Sequence, residues 1–155
     1  MNNSREQKNM IFEPDSGISI SLKENWEWRY ESYDGIRIRD GKLFIFPPDE
    51  GNTIIIAGSS KHNFTDVIDK LNKDFSHFNI ESKSEEIEIG KFGFTTYEFT
   101  MIENTKKIHT KIYLLFHNGI VYRFMFSCRK DPKEHVRDFE VILATLKLIG
   151  HTSDS

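Results

Sequence analysis

The pair Asn118-Gly119 stands between two apolar and aromatic runs, Ile108 to Phe116 and Ile120 to Ser127, and constrains the chain more than any other stretch. Asn and Gly tolerate the φ > 0 positions of a tight hairpin turn, so the runs are read as two antiparallel strands bent at His117-Asn118-Gly119. Side chains alternate across a strand. Ile112, Leu114, Val121 and Met125 therefore share one face, and Tyr113, Leu115, Tyr122 and Phe124 share the other. A hairpin that is apolar on both faces belongs inside a sheet, with something packed on each side.

Two segments have the period to supply that cover. Phe64, Val67, Ile68, Leu71, Phe75 and Phe78 recur at helical spacing, with Asp66, Asp69, Lys70, Lys73 and Asp74 opposite them. A second helix has a written start: Asp131 as N-cap, Pro132 at the first helical position and Glu134 completing a capping box. Val136, Phe139, Leu143 and Leu146 are its expected buried stripe.

The remaining apolar residues alternate or run as strands. Ile18, Ile20 and Leu22 alternate with serines, and Trp26, Trp28 and Tyr30 with Glu27, Arg29 and Glu31, which sends the three aromatics to the core. Asp34-Gly35 and Asp40-Gly41 suit tight turns around a strand at Ile36 to Arg39, followed by Leu43 to Phe46 and the stop at Pro47-Pro48. Thr53 to Ala57 reads as a strand covered on both faces, and Gly90 to Gly93 as a turn into an aromatic strand, Phe94 to Met101. With 13 Phe, 5 Tyr and 2 Trp, the core should be rich in rings.

The expected fold is α+β: a twisted, mostly antiparallel sheet of six to seven strands with two main amphipathic helices packed on it. One domain spans about residues 10–150, between polar tails at 1–9 and 151–155. The 21 basic and 24 acidic residues are spread evenly to a net charge of −3, without the one-sided field that nucleic acid requires. No 18-residue apolar run exists for membrane insertion, and the start lacks a signal-like apolar region, which suits the cytoplasm unless a signal peptide was removed. Cys128 is the sole cysteine, so no internal disulfide can form.

Ile18-Ser-Ile-Ser-Leu22 leading to Trp26, the strand entry Gly90 to Phe99, Asn118-Gly-Ile-Val-Tyr122 and the closing helix Phe139 to Leu146 together resemble the Mog1/PsbP-like fold family, including its bacterial members. The likeness covers nearly the whole domain. It implies an α/β sandwich and a non-enzymatic role in binding other proteins, as in the Ran-binding and photosystem II branches, and it assigns no binding residues.

Counting outward from Asn118-Gly119 places His109 opposite Cys128 and Lys111 opposite Phe126. If Glu103 to Lys106 bends as a hairpin, Thr100 pairs with His109 and Glu98 with Lys111. His109 and Cys128 are chemically suited to zinc but are two ligands without a third, so a cross-strand polar cluster with Glu98 paired to Lys111 is the expectation. Cys128 as a nucleophile would need His109 or His135 as base and an oxyanion hole that no motif supplies. Gly90-Lys-Phe-Gly93 and Ala57-Gly-Ser-Ser60 lack the spacing of phosphate-binding loops and read as turns. No cofactor or metal is expected.

Tyr33, Arg37 and Arg39, with Lys42 beside them, are candidates for exposed contacts. Arg123 interrupts a buried strand, so it has either an acidic partner or an open face around it. The functional expectation is a small non-catalytic module, monomeric or weakly dimeric, that binds another protein, with an inhibitor or immunity-type role as one version. The competing expectations are a carrier or enzyme with a pocket near His109, Glu98 and Cys128, and an exported accessory lipoprotein.

Overall fold

A computed structural model of the chain describes residues 9–12, 18–31, 42–60 and 63–148. Its main sheet contains seven antiparallel strands: β3 (Glu27–Glu31), β4 (Lys42–Phe46), β5 (Thr53–Ser60), β6 (Lys83–Ile89), β7 (Phe92–Glu103), β8 (Lys106–His117) and β9 (Ile120–Cys128). Their spatial order is β3-β4-β5-β9-β8-β7-β6. A smaller sheet joins β1 (Asn9–Phe12), β2 (Ile18–Ser21) and β10 (Lys147–Leu148) around β2. Helix α1 (Phe64–His77) covers one face of the main sheet, and α2 (Lys133–Leu143) covers the other.

The β8–β9 hairpin has the register that its turn dictates, from His117 opposite Ile120 to His109 opposite Cys128. Its two apolar faces separate as the alternation requires. Tyr113, Leu115, Tyr122 and Phe124 pack with Phe139, Ile142 and Leu143 of α2, while Ile112, Leu114, Val121 and Met125 pack with Leu71 and Phe75 of α1. Phe139 is fully buried and lies against the rings of Tyr113, Phe124 and Phe126 at 5.6, 6.3 and 6.3 Å. Burying such a side chain contributes about 1.5–3 kcal/mol. The α2 layer therefore holds the larger core, which also takes in Ile20, Leu22 and Trp26 around the small sheet.

Helix starts follow local chemistry. The Asn63 side chain accepts from Thr65 N–H at 2.7 Å at the head of α1, and Asp131 accepts from Lys133 N–H at 3.1 Å at the head of α2. The second start differs from the expectation: α2 begins at Lys133 with Pro132 as its N-cap, and Glu134 closes no capping box but lines a hollow with Lys23, His135 and Asp138. At Gly90 the β6–β7 turn has φ +61°, and a Cβ there would meet the Ala144 carbonyl oxygen at 2.8 Å. Only glycine fits the close approach of this turn to the end of α2.

Several side chains depart from the sequence expectations. Phe78 is not on the buried stripe, because α1 ends at His77 and Phe78 caps it with its ring in solvent. Leu146 is buried, but beyond α2 rather than on it: Thr145 Oγ1 donates to the Ile142 carbonyl at 2.6 Å where the chain leaves the helix for β10. Trp26 is buried, whereas Trp28 is half-exposed, because β3 is the outermost strand of its sheet edge. The β5 strand is sealed on the α2 side at Ile55 and Ala57 and only partly covered at Ile54 and Ile56, since α1 packs over β7, β8 and β9 instead. Tyr33, Arg37, Arg39 and both Asp-Gly turns lie outside the described residues.

Candidate functional site

The β7–β8 hairpin reaches past its neighbours. It closes on the two-residue turn Asn104-Thr105, both at positive φ. Register on the outer side stops earlier: β6 pairs with β7 only from Phe92 to Glu98. In a two-residue hairpin the flanking residues, Glu103 and Lys106, exchange both main-chain bonds, and such pairs recur at every second residue. Phe99 and Met101 thus bond to Thr110 and Ile108 of β8, and the main-chain groups of Thr100 and Ile102 point the other way. Past Glu98 there is no β6 to meet them, and neither residue makes a main-chain hydrogen bond to a described residue on that side.

An open cleft of about 1050 Å³ wraps this free edge. The alternation of β7 and β8 gives it a wall on each face of the sheet. Toward α2 the wall is Glu98, Thr100, His109 and Lys111, with Pro132 and Val136 at the head of the helix; toward α1 it is Phe78, Ile80, Phe99, Met101 and Thr110. Phe78 is 65% exposed, Met101 37% and Ile102 72%. Large apolar side chains from the end of α1 and the tip of the hairpin therefore stand in solvent around one opening. Thr110 is buried, and its hydroxyl has no hydrogen-bond partner among the described residues.

The polar wall is built as the register requires, with one correction. Thr100 faces His109 at 3.3 Å between Oγ1 and Nδ1, and Glu98 stands opposite Lys111. Lys111, however, pairs with Glu140 of α2 at 3.1 Å rather than with Glu98. The same Glu140 oxygen accepts from the Tyr113 hydroxyl at 2.7 Å. Burial, then this hydrogen bond and the negative charges of Glu140 and Glu98, push the Tyr113 hydroxyl far above the usual tyrosine range. Glu98 is left without an ion pair among the described residues, at the mouth of the cleft.

Cys128 is buried beside this wall but faces a separate network. Thr53 Oγ1 contacts both Asp49 Oδ2 and Cys128 Sγ, the latter at 3.1 Å. A hydroxyl has one proton and the carboxylate can only accept, so Thr53 donates to Asp49 and accepts from the thiol. Asp49 also meets His135 Nε2 at 3.4 Å, and His135 sets its ring edge-on to Trp26 at 6.3 Å. Among the described residues neither His109 nor His135 makes a hydrogen bond to the sulfur, and no third metal-type ligand joins His109 and Cys128. This chain of bonds pins the loop after β4 to the end of β9.

Arg123 lies on the open part of the α1 face, exposed, opposite Gly58. It stands apart from the cleft. Of the sequence candidates, Glu98, His109 and Lys111 come together at one site. Phe78, Met101 and Ile102 were not singled out for it, since no local pattern marks where β6 stops along β7.

The sequence matches no protein-family model and no curated protein. Solved structures share its fold. A protein of Bacteroides thetaiotaomicron VPI-5482 superposes at TM-score 0.63 with 16% identity over 93% of this chain and 49% of that one, so this chain spans about half its length. Cyanobacterial PsbP (CyanoP) from Synechocystis sp. PCC 6803 gives 0.59 with 12% identity, over 86% of this chain and 87% of that one. LpqN of Mycobacterium tuberculosis, described as involved in cell envelope biogenesis, gives 0.54 with 14% identity over 84% and 82%. The chain has the PsbP-like α+β fold, and at these identities the likeness is one of fold. Among the described residues no helix is long and apolar enough to cross a membrane.

Proposed function

We propose that this chain is a small non-catalytic module that binds another protein in an accessory or inhibitor-type role. The observation that carries the reading is the exposure of Phe78, Met101 and Ile102 around one cleft at the free end of β7. Clustered large apolar groups in solvent mark interaction surfaces, whereas singly scattered ones do not. Cys128 supports the non-catalytic part, since its sulfur is buried and engaged by Thr53 and by Lys130 N–H at 3.4 Å. A lone thiol suits the reducing cytoplasm, and an exported accessory protein is the competing location. The protein acts as a monomer or a weak homodimer.

The reading is tested by affinity capture from the native cell extract, with wild type and a Met101→Asp/Ile102→Asp variant whose circular dichroism is unchanged. Proteins held by wild type and lost from the variant support it. Equal retention by both, or recovery of a small ligand and no protein, contradicts it. A carrier is the second reading, favoured by the unpartnered Thr110 hydroxyl in the cleft wall; it predicts a ligand that survives gentle purification.

A further inference from the structure

The proposed binding role rests on a cleft with an unusual shape: it has a wall on both faces of the sheet, around a strand edge rather than between two elements. A globular ligand fills one side of such a shape. An added β-strand fills both, because its side chains alternate above and below the sheet while its main chain meets the edge. We infer that the site takes an extended segment of a partner protein, antiparallel to β7 on the line that β6 leaves free, with two apolar residues followed by a basic one.

The order of residue types follows from register. Thr100 and Ile102 offer the outward main-chain groups, so the segment's hydrogen-bonded residues lie opposite them. In an antiparallel pair the residue opposite Ile102 comes first, and it points to the α2 side beside an exposed apolar chain. The next, opposite Met101, points to the α1 side into the space lined by Phe78, Ile80 and Phe99 and is also apolar. The third, opposite Thr100, returns to the α2 side next to Glu98. Lys111 is already neutralised by Glu140, whereas Glu98 makes no ion pair among the described residues even with Lys83 opposite it on β6, and Glu81 adds a second carboxylate to the rim. A Lys or Arg at the third position meets that charge. The main-chain bonds supply affinity without regard to sequence, and the three side chains supply the choice.

This inference depends on the protein-binding reading, and the experiment separates the two. A randomised decapeptide library displayed on phage is selected against the whole folded chain, and enriched peptides are synthesised and titrated by ¹⁵N NMR. The expected peptides carry the apolar-apolar-basic order and shift the amides of Thr100 and Ile102. N-methylation of the basic residue should weaken binding by about tenfold, the loss expected for one hydrogen bond. Glu98→Gln should weaken it several-fold for the basic peptide and not for a version with Gln in place of the base. Peptides that bind equally well when N-methylated, or that shift only residues of the open face near Ile54 and Ile56, overturn the strand-addition mode while leaving a protein-binding module. No enriched peptide, with native-extract proteins held at some other surface, also overturns it. No peptide and no protein overturns both. Sedimentation showing a dimer that Ile102→Asp dissociates would assign the edge to a second copy instead and likewise overturn the inference.

Discussion

Replacing Glu140 with Gln removes the charge on which two sheet side chains converge. One carboxylate oxygen accepts from Lys111 Nζ at 3.1 Å and from the Tyr113 hydroxyl at 2.7 Å. The Lys111 side chain is only 15% exposed, so water replaces the lost partner poorly. Two unit charges at this distance attract by about 5 kcal/mol at an effective dielectric constant near 20. Desolvation of both groups offsets much of that, and hydrogen bonds to charged groups leave a net of roughly 1.5–3 kcal/mol. Glutamine keeps an oxygen for Tyr113 but turns a neutral amide toward the ammonium, so Glu140→Gln should destabilise the fold by about 2 kcal/mol. Urea denaturation at pH 7 of wild type, Lys111→Met, Glu140→Gln and the double variant measures the coupling directly, and roughly 1–2 kcal/mol is expected. The matching cycle with Glu98→Gln should give a smaller coupling, about 0.5 kcal/mol, as for an exposed cross-strand neighbour that makes no ion pair. A negligible coupling to Glu140, or a larger one to Glu98, would refute the account of this corner.

Because the folded Tyr113 holds its proton beyond the pH near 10 at which an unfolded tyrosine releases it, its contribution is full below about pH 10 and is lost above that at ~1.4 kcal/mol per pH unit. Stability measured from pH 9 to 11.5 should fall more steeply for wild type than for Tyr113→Phe, and equal slopes would contradict the burial of that hydroxyl. Gly90→Ala combines φ +61° with a 2.8 Å contact to the Ala144 carbonyl oxygen, whereas Gly119→Ala has φ +79° and open space. The first should cost about 2 kcal/mol or more and the second about 1 kcal/mol in a urea titration; the reverse order would show that the end of α2 does not crowd the turn. Cys128 should react with a disulfide reagent only as fast as the chain opens, and prompt stoichiometric labelling would contradict its buried bond to Thr53.

The sheet was legible in the sequence wherever a turn fixed its register. Counting from Asn118-Gly119 places His109 opposite Cys128, and counting from the bend before Lys106 places Glu98 opposite Lys111, because strand side chains have a period of two and admit no intermediate register. Both helices were legible from their apolar stripes, and the separation of Tyr113 from Ile112 onto opposite cores followed from alternation alone. What escaped depends on contacts between distant segments. Lys111 chooses Glu140 over Glu98 because α2 docks above it, and nothing local to β8 records that docking. Trp28 alternates like a core residue but lies on an outermost strand, a property of strand order rather than of pattern. The small sheet escaped because β10 is two residues long, too short to show a period. The cleft escaped because it arises from a difference in length between β6 and β7, which only the paired register reveals.

Amide hydrogen exchange along β7 tests the central claim most directly, without a partner in hand. If the edge beyond Glu98 is free, the N–H groups of Thr100 and Ile102 should exchange orders of magnitude faster than those of Phe99 and Met101, which bond to β8, and an alternating fast-slow pattern should appear over these four residues. Uniform protection of all four would mean that the edge is already covered, and the cleft would then have no strand to receive.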